Sequence, residues 1–187
     1  MDSRRILITG AGSGIGAELA ALLAAAGHEV IATDIDRAAA LSVADAIVER
    51  GGAAVAYGLD VTQPSAVETA MRAAGRVDVL VNNAGLQHVA RLEEFPADRW
   101  ALLVAVMLTG AANMTRAVLP GMRAGNFGRI VNIGSIHSLV ASPFKSAYIA
   151  AKHGLIGLSK TLALENGDVD ITVNTICPVY VRTPLVE

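Results

Sequence analysis

Ser135, Tyr148 and Lys152 have the side-chain types and spacing of a proton-transfer site. Tyr148 and Lys152 stand four positions apart, so on a helix their side chains share one face, one turn apart. A lysine ammonium at that distance favours the ionised form of a phenol, which can then exchange a proton with an alcohol or a carbonyl oxygen. Ser135 can hydrogen-bond the same oxygen. By itself the pair also fits a half-buried tyrosine beside a solvated lysine, so its meaning depends on the rest of the chain.

A glycine-rich turn near the N-terminus indicates a dinucleotide site. It follows a short apolar strand and opens a helix rich in alanine and leucine, the setting in which such a turn binds a pyrophosphate. Glycine lets the backbone approach the phosphates closely, and the helix N-terminus favours their negative charge. A structural turn without a ligand is the alternative. The residues expected to cradle the cofactor are Gly10, Gly12, Ser13, Gly14, Ile15 and Gly16.

Asp34 ends the second apolar strand, where a carboxylate accepts hydrogen bonds from an adenosine ribose. The same carboxylate repels a 2′-phosphate, which favours NAD over NADP. Aspartate is also a good N-cap, so Asp34 or Asp36 could merely begin the next helix. We expect Asp36 to cap the helix and Asp34 to bind the ribose.

Length and composition limit the class of protein. The 187 residues suffice for one domain, 1–187, with a substantial core. Although 53% of the residues are hydrophobic, polar residues and glycine interrupt the apolar runs before the roughly eighteen residues that span a bilayer. The net charge of −2 comes without a basic block, which argues against nucleic acid. Cys177, the single cysteine, is expected to be inert core in a strand, and no metal site is predicted. With no room for a signal peptide before the first strand, we expect a cytoplasmic protein.

Strands and helices alternate along the whole chain without a linker or repeat. Continuous apolar strands separated by helices predict a parallel sheet covered on both faces, hence a Rossmann-like, doubly wound, three-layer α/β fold. Ligands of such folds bind beyond the carboxyl ends of the strands, where every motif above lies. The strands are predicted at 5–9, 29–34, 53–59, 77–81, 129–134 and 170–176, and the helices at 14–26, 37–50, 64–74, 97–123 and 147–165.

In this order the motifs resemble the classical short-chain dehydrogenase/reductase family. The resemblance rests on Thr9-Gly10-x-x-x-Gly14-x-Gly16, Asp60, Asn82-Asn83-Ala84-Gly85, Ser135, Tyr148-x-x-x-Lys152 and the segment from Pro178 to Thr183. It implies an enzyme that uses Ser135, Tyr148 and Lys152 for catalysis with NAD bound beside them. Lys152 would also bind the nicotinamide ribose. The resemblance further implies cofactor contacts from Asp60 and Val61 at the adenine, from Asn83, Ala84 and Gly85 at the adenosine, and from Val181 and Thr183 at the nicotinamide.

Further segments resemble the D-3-hydroxybutyrate dehydrogenase branch of this family. That resemblance implies that Gln87, His137 and Lys145 bind the carboxylate of a small hydroxy acid, beside Ser135 and Tyr148 and with Tyr180 as an aromatic wall. The implied reaction interconverts (R)-3-hydroxybutyrate and acetoacetate, as in ketone-body metabolism. A small anion needs a cation and hydrogen-bond donors, which agrees with these residue types. Ordinary loop residues at the rim of the site are the alternative. A short-chain dehydrogenase for another small alcohol or oxoacyl substrate remains a rival function.

Three departures from the family pattern allow a weakly active dinucleotide-binding module as a further alternative. Met107 stands where the family has an asparagine that helps hold a water connecting the lysine to solvent, and Asn113 lies too far along the helix to replace it. Val179 stands where the family has a glycine. The sequence ends at Glu187, so the C-terminal lid and last strand of the family are expected to be absent from this chain. Helices 97–123 and 147–165 are apolar on more than one face, which predicts a homo-oligomer, a dimer or a tetramer.

Overall fold

Six parallel strands form one sheet in the order β3-β2-β1-β4-β5-β6. The computed structural model describes residues 3–182. The strands are β1 (Arg5–Thr9), β2 (Glu29–Asp34), β3 (Ala53–Gly58), β4 (Val79–Asn82), β5 (Gly128–Ile133) and β6 (Ile171–Ile176). The helices are α1 (Gly14–Ala25), α2 (Arg37–Glu49), α3 (Pro64–Ala74), α4 (Ala97–Val104), α5 (Gly110–Ala124) and α6 (Ser146–Glu165). The chain crosses from β3 back to β4 beside β1, so the strand order reverses next to the glycine turn.

Alternate residues of each strand enter two separate cores. Ile6 and Ile8 of β1 face the core that contains Ala20 of α1 and Ile47 of α2. Leu7, between them, faces the other core, to which α3 and α5 contribute. This division follows from the strand geometry, in which successive side chains point to opposite faces. Both faces of the sheet are therefore buried, and the expected Rossmann-like three-layer fold is confirmed.

The helix between residues 97 and 124 differs from the expected single α-helix. Ala105–Thr109 form a π turn between α4 and α5, and the N–H of Gly110 donates to the carbonyl of Ala105. Such a turn inserts one residue into a helix and shifts the side chains that follow it. It places Met107 in a third buried cluster, with Ala147 and Ala151 of α6.

The same segment also differs from the prediction that no apolar run of the chain is long enough to span a bilayer. Residues 97–124 form 28 residues of mean hydropathy 1.6, long and apolar enough to cross a membrane by length and composition alone. Core helices of globular proteins satisfy the same criterion, and 44% of its most apolar window is buried inside this structure.

Candidate active site

The glycine turn joins β1 to α1 through backbone that side chains would obstruct. Gly10 and Gly14 have positive φ angles of 64° and 54°, which glycine adopts without strain. A Cβ on Gly16 would lie 2.2 Å from the carbonyl oxygen of Gly10, so α1 starts directly against the turn. The N-terminus of α1, with its unpaired N–H groups, therefore faces the carboxyl ends of the strands. This geometry fits the pyrophosphate of a dinucleotide.

Asp34 closes the turn at the end of β2. Its Oδ2 accepts a hydrogen bond from the N–H of Gly12 and its Oδ1 from the N–H of Asp36, each at 3.0 Å. The side chain of Asp36 accepts from the first turn of α2, which makes Asp36 the N-cap, as expected. Asp36 rather than Asp34 is therefore the N-cap of α2.

A groove of about 580 Å³ runs along the carboxyl ends of β1, β2 and β4. Gly12 packs closely against Asp34, and Gly16 packs closely against the carbonyl of Gly10, so both glycines support the turn. The sequence-predicted cofactor residues that line the groove are Gly10, Ser13, Gly14, Ile15, Asp34, Asp60, Val61, Asn83, Ala84 and Gly85. An elongated groove with a phosphate-binding turn at one edge and a carboxylate at another fits a dinucleotide.

A row of polar side chains, most of them buried, crosses the sheet beneath this groove. Thr9, Asn82, Asn132 and Thr175 follow Leu7, Leu80, Ile130 and Val173 by two positions and therefore share their face of the sheet. Asn82 pairs with Asn132 and Asn132 with Thr175 in the strand register. This row had not been predicted as part of the site. A polar residue two positions after the last core residue of each strand is the signal that reveals it.

The row fixes the loops that form the groove. Oγ1 of Thr9 accepts hydrogen bonds from the N–H groups of Asn83 and Ala84, each at 3.0 Å. Asn83 in turn donates from Nδ2 to the carbonyls of Thr9 and Gly10. The loop after β4 is thus attached to the glycine turn, so Asn83 supports the turn as well as lining the groove.

Ser135 begins the loop that follows β5. Its Oγ accepts from the N–H of His137 at 3.1 Å, and its own N–H donates to Oγ of Ser138, which folds 136–138 into a short 3₁₀ turn. The N–H of Ile136 donates to the carbonyl of Pro178, which connects this loop to the segment after β6. Ser135 is buried and held from both sides.

Tyr148 and Lys152 lie in the first two turns of α6, and α6 packs against the 3₁₀ turn of Ser135. Nζ of Lys152 is 5.6 Å from the centroid of the Tyr148 ring, so the predicted shared face is correct. The Lys152 ammonium also donates to the carbonyl of Ile133 at 2.5 Å. The phenol and the ammonium therefore lie near the start of α6, which packs against the turn that begins at Ser135.

Lys152 is 5% exposed, which differs from the solvated lysine of the alternative interpretation. Burial lowers the pKa of Lys152 from 10.5 to about 8, while Cys177 acts in the opposite direction. Cys177 had been expected inside a strand as inert core. That expectation is wrong, because β6 ends at Ile176 and Cys177 is only partly buried, near enough to act on Lys152.

The predicted substrate residues come from two connections, that between β5 and α6 and that after β4. The ring of His137 lies 6.4 Å from that of Tyr148, edge to face, and its buried Nδ1 has no hydrogen-bond partner among the described residues. Lys145 directly precedes α6, and Gln87 lies in the loop after β4. A hydrogen bond from the N–H of Ala90 to the carbonyl of Phe144 joins the Gln87 loop to the Lys145 loop. The three residues therefore belong to connected loops around Tyr148.

The segment after β6 is more open. Tyr180 is 82% exposed and Val181 is 40% exposed, and Thr183 lies outside the described residues, so the contacts predicted for this segment with substrate and cofactor stay predictions. Val179 replaces a family glycine without adopting a left-handed conformation, since the described non-glycine residues with positive φ are Asn126 and Phe144. Val179 therefore needs no left-handed backbone conformation at that position.

Met107 is 2% exposed and packs within the α4–α6 cluster. Asn113 donates from Nδ2 to the carbonyl of Val61 at 3.0 Å and is buried. The family asparagine is thus replaced by an apolar side chain at position 107.

A dinucleotide groove beside a serine, a tyrosine and a lysine defines an oxidoreductase that uses a nicotinamide cofactor. The sequence profile of the short chain dehydrogenase family matches residues 4–187. The chain belongs to the short-chain dehydrogenase/reductase family, whose members bind nicotinamide dinucleotides.

Several relatives of the chain carry the names of dehydrogenases, which agrees with this assignment. The chain is 44% identical over 191 residues to the D-beta-hydroxybutyrate dehydrogenase of Cupriavidus necator, covering 100% of this chain and 74% of that protein. It is 43% identical over 199 residues to the enzyme of the same name from Rhizobium meliloti, covering 99% of this chain and 74% of that protein. It is also 40% identical over 190 residues to cyclohexanol dehydrogenase of an Acinetobacter species, covering 99% and 76%.

Proposed function

We propose that the protein is an NAD-dependent dehydrogenase that interconverts (R)-3-hydroxybutyrate and acetoacetate. The observation that carries the proposal is the position of His137, whose ring lies 6.4 Å from that of Tyr148 and whose buried Nδ1 has no hydrogen-bond partner in the part of the chain that the structure describes. A buried polar atom without a partner costs free energy, so it favours a ligand that supplies the missing hydrogen bond. Lys145, in the neighbouring loop, supplies a positive charge for a carboxylate. Two relatives named D-beta-hydroxybutyrate dehydrogenase support this choice of substrate.

The roles of the three central residues follow from their chemistry. Tyr148, as the phenolate, would take the proton of the substrate hydroxyl, and Ser135 would donate a hydrogen bond that orients the same oxygen. The ammonium of Lys152, 5.6 Å from the ring centroid, places a positive charge beside the Tyr148 side chain. NAD, when bound, supplies the acceptor for the hydride. Burial of Lys152 and Ser135 keeps water from competing for these hydrogen bonds.

A panel of substrates tests the proposal. We expect turnover of (R)-3-hydroxybutyrate to exceed that of its (S) enantiomer and of cyclohexanol. Lys145→Met should raise KM for hydroxybutyrate at least tenfold, because an ion pair to the carboxylate is lost, and should leave KM for a neutral alcohol unchanged. Lys160→Met, on the exposed side of α6, removes the same charge and should change neither value. Efficient turnover of cyclohexanol without turnover of hydroxybutyrate would reject the anionic substrate.

The choice of NAD over NADP rests on Asp34, whose carboxylate lies at the edge of the groove. Asp34→Asn keeps the shape and removes the charge, so the preference for NAD should fall at least tenfold. Asp36→Asn removes the same charge two residues away and keeps a side chain that caps helices, so it serves as the matched control. If Asp34→Asn and Asp36→Asn retain the same preference for NAD over NADP, Asp34 does not bind the ribose.

A cytoplasmic location also belongs to the proposal, because the reaction needs a compartment supplied with NAD. Cell fractionation tests this location.

A homo-oligomer, dimeric or tetrameric, is also proposed. More than half of the residues in the most apolar window of 97–124 are not fully buried by the chain itself, and Leu164 is exposed on α6. A second copy of the chain would cover such surface. Light scattering at micromolar concentration should therefore give a mass at least twice that of the monomer, and a monomer only would refute this proposal.

One specific observation favours the weaker alternative, a dinucleotide-binding module. Met107 is buried where the family has a relay asparagine, so the side chain at this position offers no amide to a relay through Lys152. Calorimetry and turnover measured on the same preparation distinguish the two functions. Tight NAD binding without turnover, not restored by Met107→Asn, would support the module.

A further inference from the structure

Phe144 has a backbone conformation that phenylalanine rarely adopts. Its φ angle is 66°, in the left-handed region where glycine is favoured. It follows Pro143 in the turn that precedes α6, and a proline followed by a residue of positive φ is the pattern of a type II turn, which usually has glycine in that second place. A bulky residue keeps such a strained conformation only where its surroundings hold it there, often beside a functional site.

Two contacts hold Phe144 against the loop that follows β4. Its carbonyl accepts a hydrogen bond from the N–H of Ala90 at 2.9 Å. The guanidinium of Arg91, the next residue of that loop, lies 5.5 Å from the centroid of the Phe144 ring, within the range of a cation–π interaction. The ring is 47% exposed, so packing into a core does not account for its conformation. We call these two contacts, Ala90 to Phe144 and Arg91 to Phe144, the strap.

Both ends of the strap lie next to residues predicted to bind the substrate carboxylate. Lys145 directly follows Phe144, and Gln87 precedes Ala90 by three positions on the loop after β4. Oε1 of Gln87 accepts a hydrogen bond from the N–H of His88 at 3.1 Å, which leaves its Nε2, with two N–H donors, as the end of the amide that can bind an anion. The relative position of the two loops therefore decides whether one carboxylate can reach both Lys145 and Gln87.

We propose that Phe144 and Arg91 are positioning residues, and that the strap holds Lys145 in place relative to Gln87 before the substrate binds. Glycine at position 144 would adopt the same φ angle without strain, but it would offer no ring to Arg91. The contact that the ring makes thus explains a strained phenylalanine at this position. Holding two donors in place in advance removes part of the cost of ordering them around the carboxylate, which strengthens binding. The proposal rests on the proposed function, because it assigns Lys145 and Gln87 to that carboxylate.

The first test separates KM from kcat. Phe144→Gly removes the ring and the strain together, and it should raise KM for (R)-3-hydroxybutyrate about two- to fivefold, the ratio that corresponds to an exposed cation–π contact. It should leave kcat and the KM for a neutral alcohol unchanged, because Ser135, Tyr148 and Lys152 are unaltered. Phe144→Tyr keeps an aromatic ring and should retain the KM of the unaltered protein. A merely structural role would change the values for both substrates alike.

Arg91→Met tests the other side of the same contact. Methionine keeps an unbranched side chain without charge, so KM for hydroxybutyrate should rise by the same factor as in Phe144→Gly. The double variant should show no larger rise than either single variant, because both substitutions remove one shared contact. Arg99→Met is the matched control, since Arg99 is exposed on α4 and its loss removes the same charge outside the strap. It should leave KM unchanged, which excludes a general effect of positive charge on an anionic substrate.

A second measurement needs neither turnover nor cofactor. Acetate, a carboxylate without the rest of the substrate, is titrated into the ¹⁵N-labelled protein and followed through the side-chain NH₂ signals of Gln87. Its Kd should rise about two- to fivefold in Arg91→Met and in Phe144→Gly. Hydrogen exchange of the Ala90 amide, whose N–H donates to Phe144, should become faster in both variants. Because Arg91 is exposed, Arg91→Met keeps the proposal testable even if Phe144→Gly does not fold.

The strap and the proposed function fail separately in these measurements. Acetate binding that weakens in the strap variants of a protein that turns over no hydroxybutyrate would reject the proposed substrate and retain the strap. Turnover of hydroxybutyrate, with KM, acetate affinity and Ala90 exchange unchanged in Arg91→Met, would retain the proposed function and overturn the strap. Acetate that leaves the Gln87 signals unaltered, an equal rise of KM in Arg99→Met, or additive rises in the double variant would also overturn it.

Discussion

Replacing Lys152 by methionine should alter how the stability of the protein depends on pH. The ammonium is 5% exposed, and burial lowers its pKa to about 8 from 10.5. Below pH 8 the lysine is charged in both the folded and the unfolded protein, so the folded state bears the full cost of desolvation. Between pH 8 and 10.5 the unfolded chain binds more protons than the folded one, and stability therefore rises with pH.

The magnitude follows from the same two values. The interval from about 8 to 10.5 corresponds, at about 1.4 kcal/mol for each pH unit, to roughly 3 kcal/mol of unfolding free energy. Methionine has a similar volume and no charge, so Lys152→Met should be more stable than the unaltered protein at pH 7. It loses the hydrogen bond to Ile133, which subtracts part of that gain. The advantage should then shrink by roughly 3 kcal/mol as the pH approaches 10.5.

Urea unfolding of both proteins at several pH values from 7 to 10.5 measures this difference. Subtracting one curve from the other cancels the titration of groups that the two proteins share. Circular dichroism at each pH verifies that the variant retains its helices. A difference that stays constant over this range would refute the reasoning, because it would mean that Lys152 has its ordinary pKa in the folded protein.

Substitutions at three other positions have expected outcomes that local geometry determines. Gly16→Ala should abolish NAD binding in calorimetry, because the new Cβ would lie 2.2 Å from the Gly10 carbonyl; binding at unchanged affinity would contradict the close approach. Gly121→Ala, on the exposed side of α5 with nothing within 4 Å, should raise the unfolding free energy by about 0.5–1 kcal/mol, and a loss in the same urea assay would contradict that environment. Asp36→Ala should lower it by about 1 kcal/mol through loss of the α2 cap, whereas Asp36→Ser should restore most of the loss.

The fold was predictable because its signals are local. Continuous apolar strands alternate with helices, and the predicted boundaries differ from those observed by at most two residues at most ends. Asp36 was identified as a cap from its position before α2, since a capping side chain bonds only to the next few residues. The π turn at Ala105–Thr109 had no such signal, because packing of α4 and α5 against α6 and the sheet determines it.

Sequence alone identified the residues that carry the chemistry, since the order of the glycine turn, Asp34, Ser135, Tyr148 and Lys152 is a property of the chain. Only the tertiary structure decided their environment. Lys152 is buried, Cys177 acts on it, and Asn82 lies beside it because strands from distant parts of the chain end at one edge of the sheet. Burial and electrostatic interaction depend on distance in space, which the spacing of residues along the chain does not specify.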